Sequence, residues 1–424
     1  MKESGIQWIG KIPDMWNLVR LKDICINKKQ VAGEKSSEYE RLALTLNGVI
    51  KRPKDDQEGL QPKEFDTYQI LEENDFVFKM IDLQNISTSR VGLSPYTGLV
   101  SPAYIRFASK KKGQFNDFIH YYLLSLWYNC VYNNIAGDGV RSALNATDMG
   151  NLKCPFPDEN TQRSIVAFLD EKTTEIDSLI EIENQQIEKL KEYKQAVITE
   201  TVTKGLDKKV AMKDSGDEWI GLIPEGWDIQ RFKNLGECRN GLTYSPSDMC
   251  SAEEGTLVLR SSNIQNNHLV LDDNVYVNTF IKDELYVKKG DILICSRNGS
   301  AKLIGKNILI PDNLNASFGA FMMIYRSIDP IYLRYILCSN IFFRYLGTFL
   351  TVSVNQLTGS NFMNIQFPYP KTKSDRELII KYLDEKCSNI DKLIGIKQQK
   401  IEKLEEYKKS LIYEYVTGKK EVIA

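Results

Sequence analysis

Between about residues 162 and 205, apolar residues recur at spacings of three, four and seven, with mostly Glu, Lys, Gln, Asp and Thr between them. The apolar positions are Ile165, Leu169, Ile176, Ile180, Ile187, Leu190, Val197 and Ile198. This spacing is typical of a coiled-coil helix, which buries a narrow apolar seam against another helix. The stretch therefore predicts a long helix that needs a partner.

The same pattern returns near the C-terminal end of the chain, and part of the sequence returns with it. Leu-Asp-Glu-Lys occurs at 169–172 and at 383–386, and Ile-Glu-Lys-Leu occurs at 187–190 and at 401–404. Two copies of one seam in one chain predict that the two helices pair with each other. The apolar positions of the second copy are Leu383, Ile390, Ile394, Ile401, Leu404, Leu411 and Ile412.

A second internal repeat lies upstream of each helix. Residues 4–16 and 215–227 share the pattern Ser-Gly-x-x-Trp-Ile-Gly-x-Ile-Pro-x-x-Trp. Gly and Pro interrupt regular structure, and tryptophans can anchor such a segment on a larger body. The simplest interpretation is a packed arm, and an interface with a partner protein is the alternative. The duplication predicts a chain of two halves, each with an arm, a globular region and a helix.

The globular regions, about 17–158 and 228–371, mix short strand-like runs with turns, and each contains a predicted helix, near 116–129 and near 330–345. Their middles share little sequence, which suggests a fixed frame that holds two different readers. The predicted fold class is α+β, with two α/β globular domains separated by a long antiparallel two-helix coiled coil and an internal pseudo-two-fold repeat. The predicted segments are 1–158, 159–207, 208–371 and 372–424.

Connectivity predicts the direction of the helices. The first helix enters the second globular region and the second helix leaves it, and the termini of a compact domain usually lie close together. We therefore expect an antiparallel pair, ~60 Å long for about 40 residues, with a globular region at each tip. Glu183 and Lys397 interrupt the apolar seam near its midpoint. We expect these two side chains to lie close together and to set the register.

Composition narrows the function classes. The chain has 55 basic and 56 acidic residues, so nucleic-acid binding would depend on local patches rather than on net charge. No apolar run approaches the ~20 residues that span a bilayer, and the N-terminus lacks the features of a signal peptide. The eight cysteines are scattered and only two histidines are present, so we expect no metal site and a cytoplasmic protein with reduced thiols.

Catalytic motifs are missing from the sequence. It contains neither a P-loop nor a G-x-G-x-x-G motif. Ser101-Pro102-Ala103-Tyr104 is faintly similar to an amino-methyltransferase motif, but it lacks the second proline, so the start of a strand is the favoured interpretation. We therefore expect no catalytic residues and no cofactor bound by this chain.

The duplicated arm, the Pro-x-Pro segments at 155–157 and 368–370, and the two Leu-Asp-Glu-Lys helices together resemble one family over essentially the full length. That family is the specificity (S) subunit of type I restriction–modification systems. The resemblance implies two target-recognition domains, each reading one half of a bipartite asymmetric double-stranded DNA site, held apart by the coiled coil. It also implies docking of two methyltransferase (M) subunits that use S-adenosylmethionine, and restriction (R) subunits that use ATP with Mg. The S subunit itself is non-catalytic.

Residue type and context suggest which side chains contact DNA, because Arg, Lys, Asn and Gln near turns can bind base edges or phosphates. A solvated polar loop is the alternative for each of them. In the first globular region the candidates are Asn85, Ser89, Arg90, Lys110, Lys112, Arg141 and Asn145. In the second they are Arg239, Asn240, Arg260, Asn263, Gln265, Arg297, Asn298, Lys302, Asn355 and Gln356.

The helices and arms are candidates for the coiled coil and for subunit docking. Apolar residues beyond the narrow seam, at Leu179, Ile182, Leu393 and Ile396, indicate a further partner. A protein-binding adaptor without DNA specificity is the alternative function. The candidate docking and coiled-coil residues are Trp8, Trp16, Leu169, Ile176, Ile180, Glu183, Ile187, Leu190, Trp219, Trp227, Leu383, Ile390, Ile394, Lys397, Ile401 and Leu404.

Overall fold

The computed structural model describes residues 1–56, 64–81, 83, 89–111, 115–135, 143–265, 268–350 and 355–422. The chain forms two compact units. Unit 1 comprises Met1–Glu183 and Gln398–Ala424, and unit 2 comprises Asn184–Lys397. Each unit therefore contains one arm, one globular region and a segment of each long helix. The four segments predicted from the sequence have other boundaries, because the division between the units falls inside the second and the fourth of them. Those segments stay a prediction.

The long helices are α5 (Glu159–Lys204) and α10 (Lys373–Val416), and both run through the division between the units. The other elements of unit 1 are β1 (Lys2–Glu3), β2 (Lys11–Ile12), β3 (Asn17–Arg20), α1 (Leu21–Ile24), β4 (Cys25–Asn27), β5 (Arg41–Thr45), β6 (Gly48–Arg52), β7 (Gln69–Leu71), β8 (Phe76–Phe78), β9 (Val91–Leu93), β10 (Gly98–Val100), β11 (Ile105–Ser109), α2 (Asn116–Tyr128), α3 (Val131–Ile135), α4 (Ala146–Asn151) and β12 (Lys153–Phe156), with a 3-10 helix at Gly33–Glu38.

Unit 2 repeats much of this order. Its elements are β13 (Met212–Asp214), β14 (Leu222–Pro224), β15 (Trp227–Arg231), α6 (Phe232–Leu235), β16 (Gly236–Asn240), β17 (Met249–Cys250), β18 (Thr256–Leu259), β19 (Ile264–Gln265), β20 (His268–Leu269), β21 (Val275–Val277), β22 (Ile292–Cys295), β23 (Asn307–Leu309), β24 (Ala316–Phe318), β25 (Met322–Ser327), α7 (Pro330–Leu337), α8 (Asn340–Phe349), α9 (Gly359–Asn364) and β26 (Gln366–Pro370), with 3-10 helices at Pro246–Asp248, Ser261–Asn263, Asp283–Leu285 and Ala301–Leu303.

Among the residues that the structure describes, each unit has two four-stranded sheets, and one of them has the same strand order and pairing in both units. Its strand order is β4-β11-β8-β9 in unit 1 and β16-β25-β22-β23 in unit 2, and all its pairs are antiparallel. The other sheet has the order β6-β5-β10-β7 in unit 1 and β17-β21-β18-β24 in unit 2. It contains one parallel pair in each unit, β5 with β10 and β18 with β24. The predicted mixed α/β globules are thus confirmed.

A buried ion pair recurs in the shared sheets, although the sequences around it differ. Arg326 Nη2 lies 2.7 Å from the Asp291 carboxylate, and Arg106 Nε donates to Asp75 in the same way. Both carboxylates lie directly before the equivalent strand, β8 or β22, and directly after a residue with positive φ, Asn74 (φ 66°) or Gly290 (φ 88°). The two arginines stand two places apart on equivalent strands, which leaves them on the same face because side chains alternate along a strand.

The long helices pair antiparallel within each unit. In unit 1 Asp177 binds Lys408 and Glu183 binds Lys400, each at 2.6 Å. In unit 2 Lys194 binds Asp391 at 2.6 Å, and Lys397 donates to Gln186. Partner numbers fall as residue numbers rise, which confirms the predicted antiparallel coiled coil.

The seam residues are buried to different degrees. Ile165, Leu169, Ile176, Ile187, Ile198, Leu383, Ile390, Leu411 and Ile412 are buried, whereas Ile180, Leu190, Val197, Ile394, Ile401 and Leu404 are half-buried. Two expectations stay predictions. One is that Glu183 lies close to Lys397, and the other is that the globular regions lie at opposite tips of the helix pair.

The repeated Leu-Asp-Glu-Lys motif joins each long helix to its own globule. Leu169 and Leu383 are fully buried. The next residue in each copy, Asp170 or Asp384, accepts a hydrogen bond from a tyrosine hydroxyl on α2 or α7, respectively. Tyr121 donates to Asp170 over 2.6 Å, and Tyr335 donates to Asp384 over 2.5 Å. The motif therefore fixes where each helix leaves the globule.

Both arms pack inside their own units, as the simplest interpretation predicts. Trp16 is buried edge-on against Phe118, with ring centroids 6.1 Å apart, and Trp227 is buried over the helix-ending Gly205. Trp8 donates to Tyr122 over 3.4 Å, whereas Trp219 is 38% exposed and contacts Tyr345 edge-on.

One predicted helix is wrong in extent. A single helix was expected near 330–345, but α7 ends at Leu337 and α8 begins at Asn340. The extended backbone of Ser339 separates them, and Asn340 N donates to Thr199 Oγ1 on α5 over 2.8 Å. This contact is far away in sequence, so apolar spacing could not reveal the break. Among the described residues, no helix has the length and hydropathy needed to span a bilayer.

Candidate nucleic-acid interface

Four loop segments of unit 2 meet beside the ends of its central strands. They are residues 260–265, 296–302, 319–321 and 355–357, hereafter the loop edge. Backbone hydrogen bonds join them: Gly319 N to Leu259 O at 2.9 Å, Ser296 N to Phe321 O at 2.9 Å and Leu357 N to Ser296 O at 2.8 Å. The loops are thus mounted on buried strands, which is how recognition residues are usually held in place.

Side chains link the same loops. Asn298 Nδ2 donates to Ser261 Oγ over 3.3 Å, and its Oδ1 accepts from Ser300 N over 2.9 Å. Asn355 Nδ2 donates to Gly299 O over 3.3 Å. The backbones of Arg297 and Gln356 form an isolated antiparallel bridge. The predicted residues at 297, 298, 355 and 356, which are far apart in sequence, therefore lie together.

The loop edge carries positive charge. Its four segments contain Arg260, Arg297 and Lys302 and no acidic residue, and Lys306 reaches Ser261 O over 3.4 Å. Asp273 pairs with Arg260 at 2.7 Å. The other cationic side chains, of Arg297, Lys302 and Lys306, suit phosphate groups, because the attraction of Lys and Arg to phosphates dominates affinity for nucleic acid.

Three other predicted residues of unit 2, Asn263, Gln265 and Arg239, make hydrogen bonds or ion pairs within the protein. Asn263 is buried; its Oδ1 accepts from Arg260 N over 2.8 Å and its Nδ2 donates to Val270 O over 2.9 Å. Gln265 donates to Ser262 O over 3.1 Å. Arg239 binds Glu284 and Glu237 at 2.9 and 3.0 Å, and its neighbour Asn240 is the exposed last residue of β16.

In unit 1 the predicted residues that the structure describes are engaged within the protein. Ser89 and Arg90 are buried, and Arg90 Nη1 donates to Ile81 O over 3.3 Å. Lys110 donates to Lys22 O over 2.9 Å. Asn145 caps α4 by accepting from the backbone N–H groups of residues 147 and 148. Asn85, Lys112 and Arg141 lie outside the described residues.

Sequence reasoning missed Phe321. Its side chain is 59% exposed on the loop edge, and the Arg297 guanidinium lies 5.3 Å from its ring centroid. The sequence did not predict this exposure, because an apolar residue at the start of a strand is ordinarily buried. The polar residues of the neighbouring loops, 260–265 and 296–302, could have suggested it.

Metal-ligand clusters and titratable side chains of the described part of the chain bear on the sequence-based expectation of no metal site and no catalytic residues. No group of three or more His, Cys, Asp or Glu there could hold a metal ion. Burial lowers the pKa of His120 to about 4, which keeps its ring neutral. Burial raises the pKa of the Cys25 thiol to about 12, so that thiol is not a reactive nucleophile.

Two globules with one sheet of the same strand order, each joined to a pair of long helices, define a protein built from an internal repeat. The family model for the type I restriction modification DNA specificity domain matches residues 13–192 and 224–406. These matches cover well over half of the chain, which therefore belongs to the family of type I restriction–modification specificity subunits. Membership implies that the chain takes part in recognising a DNA sequence.

Individual relatives agree with this assignment. The chain is 26% identical over 425 residues to the type I restriction enzyme MjaVIII specificity subunit of Methanocaldococcus jannaschii, covering 96% of this chain and 94% of the relative. It is 24% identical over 206 residues to the EcoKI specificity subunit of Escherichia coli (strain K12), covering 47% and 44%. A solved chain from a study of complex assembly and conformational transition of the type I R-M system has the same fold, with a TM-score of 0.66 and 15% identity over 96% of this chain and 98% of that one.

Proposed function

We propose that each globule reads one half of a bipartite, asymmetric site in double-stranded DNA. The loop edge of unit 2 is the observation that carries this proposal. It combines cationic side chains with Asn and Gln amides on rigidly mounted loops, and these groups suit phosphates and base edges respectively. Since the loops of the two globules differ in sequence, the two half-sites should differ as well.

The paired helices act as the spacer between the two readers. Each reader alone would bind weakly, and joining two weak readers raises affinity through effective concentration if the spacer has the right length. The antiparallel pairing supports this role, because ion pairs between the helices and the anchored Leu-Asp-Glu-Lys motifs limit sliding. Site spacing would then follow from helix length.

Apolar residues outside the seam form a docking surface in each unit, one for each of two methyltransferase subunits. In unit 1 they are Leu179, Ile182 and Tyr407, and in unit 2 Leu393, Ile396 and Tyr193, all between 43% and 62% exposed. Exposed apolar groups at repeated positions on helices are typical of protein interfaces. In unit 2 the part-exposed Trp219 of the arm is a further candidate for docking.

The chemistry of the complex lies on its other subunits. S-adenosylmethionine would bind the methyltransferase subunits, and ATP with Mg would bind restriction subunits that join through the complex. This chain would bind no cofactor of its own and would work in the cytoplasm, where these partners and the DNA are found.

A gel shift tests the DNA-reading proposal. The chain, in complex with its methyltransferase subunit, is titrated onto random-sequence duplex between about 50 and 200 mM salt. We expect binding that weakens steeply as salt rises, because each neutralised phosphate releases a counterion. Lys302→Gln should reduce the slope of log affinity against log salt by about 1.

A matched control is Lys289→Gln, which removes a lysine whose side chain is 67% exposed and paired with Asp312. It precedes β22, whereas the loop edge follows that strand, so the slope should be unchanged. A complex that assembles but shows no salt-sensitive duplex binding would contradict the proposal and favour the adaptor function.

A further inference from the structure

Phe321 is exposed where the surrounding sheet is not. It is 59% exposed, whereas the next two residues, Met322 and Met323, are buried. A tight turn presents it, since Met322 N donates to Gly319 O over 2.8 Å. Its carbonyl oxygen accepts from both Ser296 N and Arg297 N, at 2.9 and 3.1 Å. The backbone of this apolar residue is therefore fixed at the centre of the loop edge.

Arg297 is positioned by the same contacts. Its backbone binds Phe321 O at 3.1 Å and bridges Gln356, and its guanidinium lies 5.3 Å from the Phe321 ring centroid. Such stacking orients a guanidinium at little cost in side-chain freedom. Arg297 makes no side-chain ion pair with an acidic group of the described residues, so its donors remain available to a ligand.

The equivalent turn of unit 1 carries a different side chain. Ser109 pairs with Cys25, and Ser327 pairs with Gly236, each at the start of the strand that follows a short helix. Counting back from these serines aligns Ala103 with Phe321. The turn is the same, because Tyr104 N donates to Ser101 O over 3.1 Å. One reader thus presents a methyl group where the other presents a ring.

We infer that Phe321 and Arg297 form a specificity-determining pair that reads a thymine next to a guanine in the half-site of unit 2. This inference rests on the proposed function. The Phe321 ring would contact the thymine 5-methyl group in the major groove, which is the only apolar feature of a base edge there. Arg297, held over the ring, would donate to O6 and N7 of the adjacent guanine, the commonest specific contact of arginine with DNA.

Deoxyuridine tests the inference, because replacing thymine with uracil removes only the methyl group. The recognised sequence is first read from methylated adenines, and duplexes are then made with uracil at each thymine of the two half-sites. Affinity is measured for the complete complex with its methyltransferase subunits. For the unaltered chain we expect one thymine at which uracil weakens binding about fourfold, the effect of one buried methyl group.

Phe321→Ala should weaken binding to the natural duplex by at least the same factor and remove the difference between thymine and uracil at that position. Arg297→Ala should likewise remove discrimination between guanine and 7-deazaguanine at the neighbouring pair. Ile328→Ala is the matched control, because Ile328 is 79% exposed at the opposite end of β25, and it should bind as the unaltered chain does.

The outcomes separate the inference from the proposed function. Sequence-specific binding in which Phe321→Ala still distinguishes thymine from uracil, or a site with no thymine beside a guanine, would overturn the inference and leave the proposed function intact. A complex that binds no duplex with any chain would overturn both. Because Phe321 is exposed, we expect all variants to unfold at the same midpoint. Equal midpoints would exclude a folding defect as the cause of weaker DNA binding.

Discussion

Buried ion pairs stabilise each globule at positions that the composition of the chain does not reveal. Arg106 and Arg326 neutralise carboxylates that are themselves 6% and 2% exposed. Charges buried to this extent need partners, because desolvation is expensive and only close pairing compensates for it. The pairs explain how two globules with little shared sequence keep the same sheet. An arginine can move two places along its strand and still reach the same aspartate, so residue-by-residue comparison of the halves misses the pair.

His120 gives unit 1 a pH dependence of stability. Burial lowers its pKa in the folded chain to about 4, below the value of about 6.5 in an unfolded chain. The unfolded state therefore binds the proton first, and stability falls as pH drops from about 6.5 towards 4. We expect protonation of this residue in the unfolded state to lower the free energy of unfolding by about 2 kcal/mol between pH 7 and pH 5. Urea unfolding at both pH values should show a smaller loss for His120→Gln, and an equal loss would contradict this account.

At the scale of elements, the long helices could be predicted closely, whereas the loop edge could not. The apolar spacing of the seam repeats many times along α5 and α10. This period alone predicts that both helices exist and where, within a few residues, most of their ends lie. The loop edge arises from hydrogen bonds between residues such as Ser296, Phe321 and Leu357. These pairings depend on strand register over long sequence separations, which local patterns do not encode.

The centre of the helix pair offers a test by charge reversal. Glu183 is buried and binds Lys400 at 2.6 Å, while the sequence predicts Lys397 as its neighbour. Glu183→Lys should destabilise the chain by about 1–3 kcal/mol, less than for a fully buried pair because Lys400 is 54% exposed. Adding Lys400→Glu should restore most of the loss in urea unfolding. Adding Lys397→Glu instead tests the predicted pair, and no recovery with either second change would contradict a register set by these charges.

For the whole molecule, we propose that α5 and α10 act as the spacer between two globules that each read DNA. One heptad inserted at matched positions of both helices keeps the seam in phase and lengthens each by about 10 Å. That length corresponds to about three base pairs at 3.4 Å each. The control is the same insertion in α5 alone, which removes the match between the two seams. We expect it to impair assembly rather than to change spacing.

Mapping methylated adenines in a host that expresses the complex, with the unaltered chain and with the chain lengthened in both helices, tests the central claim most directly. We expect one bipartite motif with two different half-sites for the unaltered chain. For the lengthened chain we expect the same half-sites, separated by about three more base pairs. An undivided motif, or a gap unchanged by the insertion while methylation persists, would contradict the account.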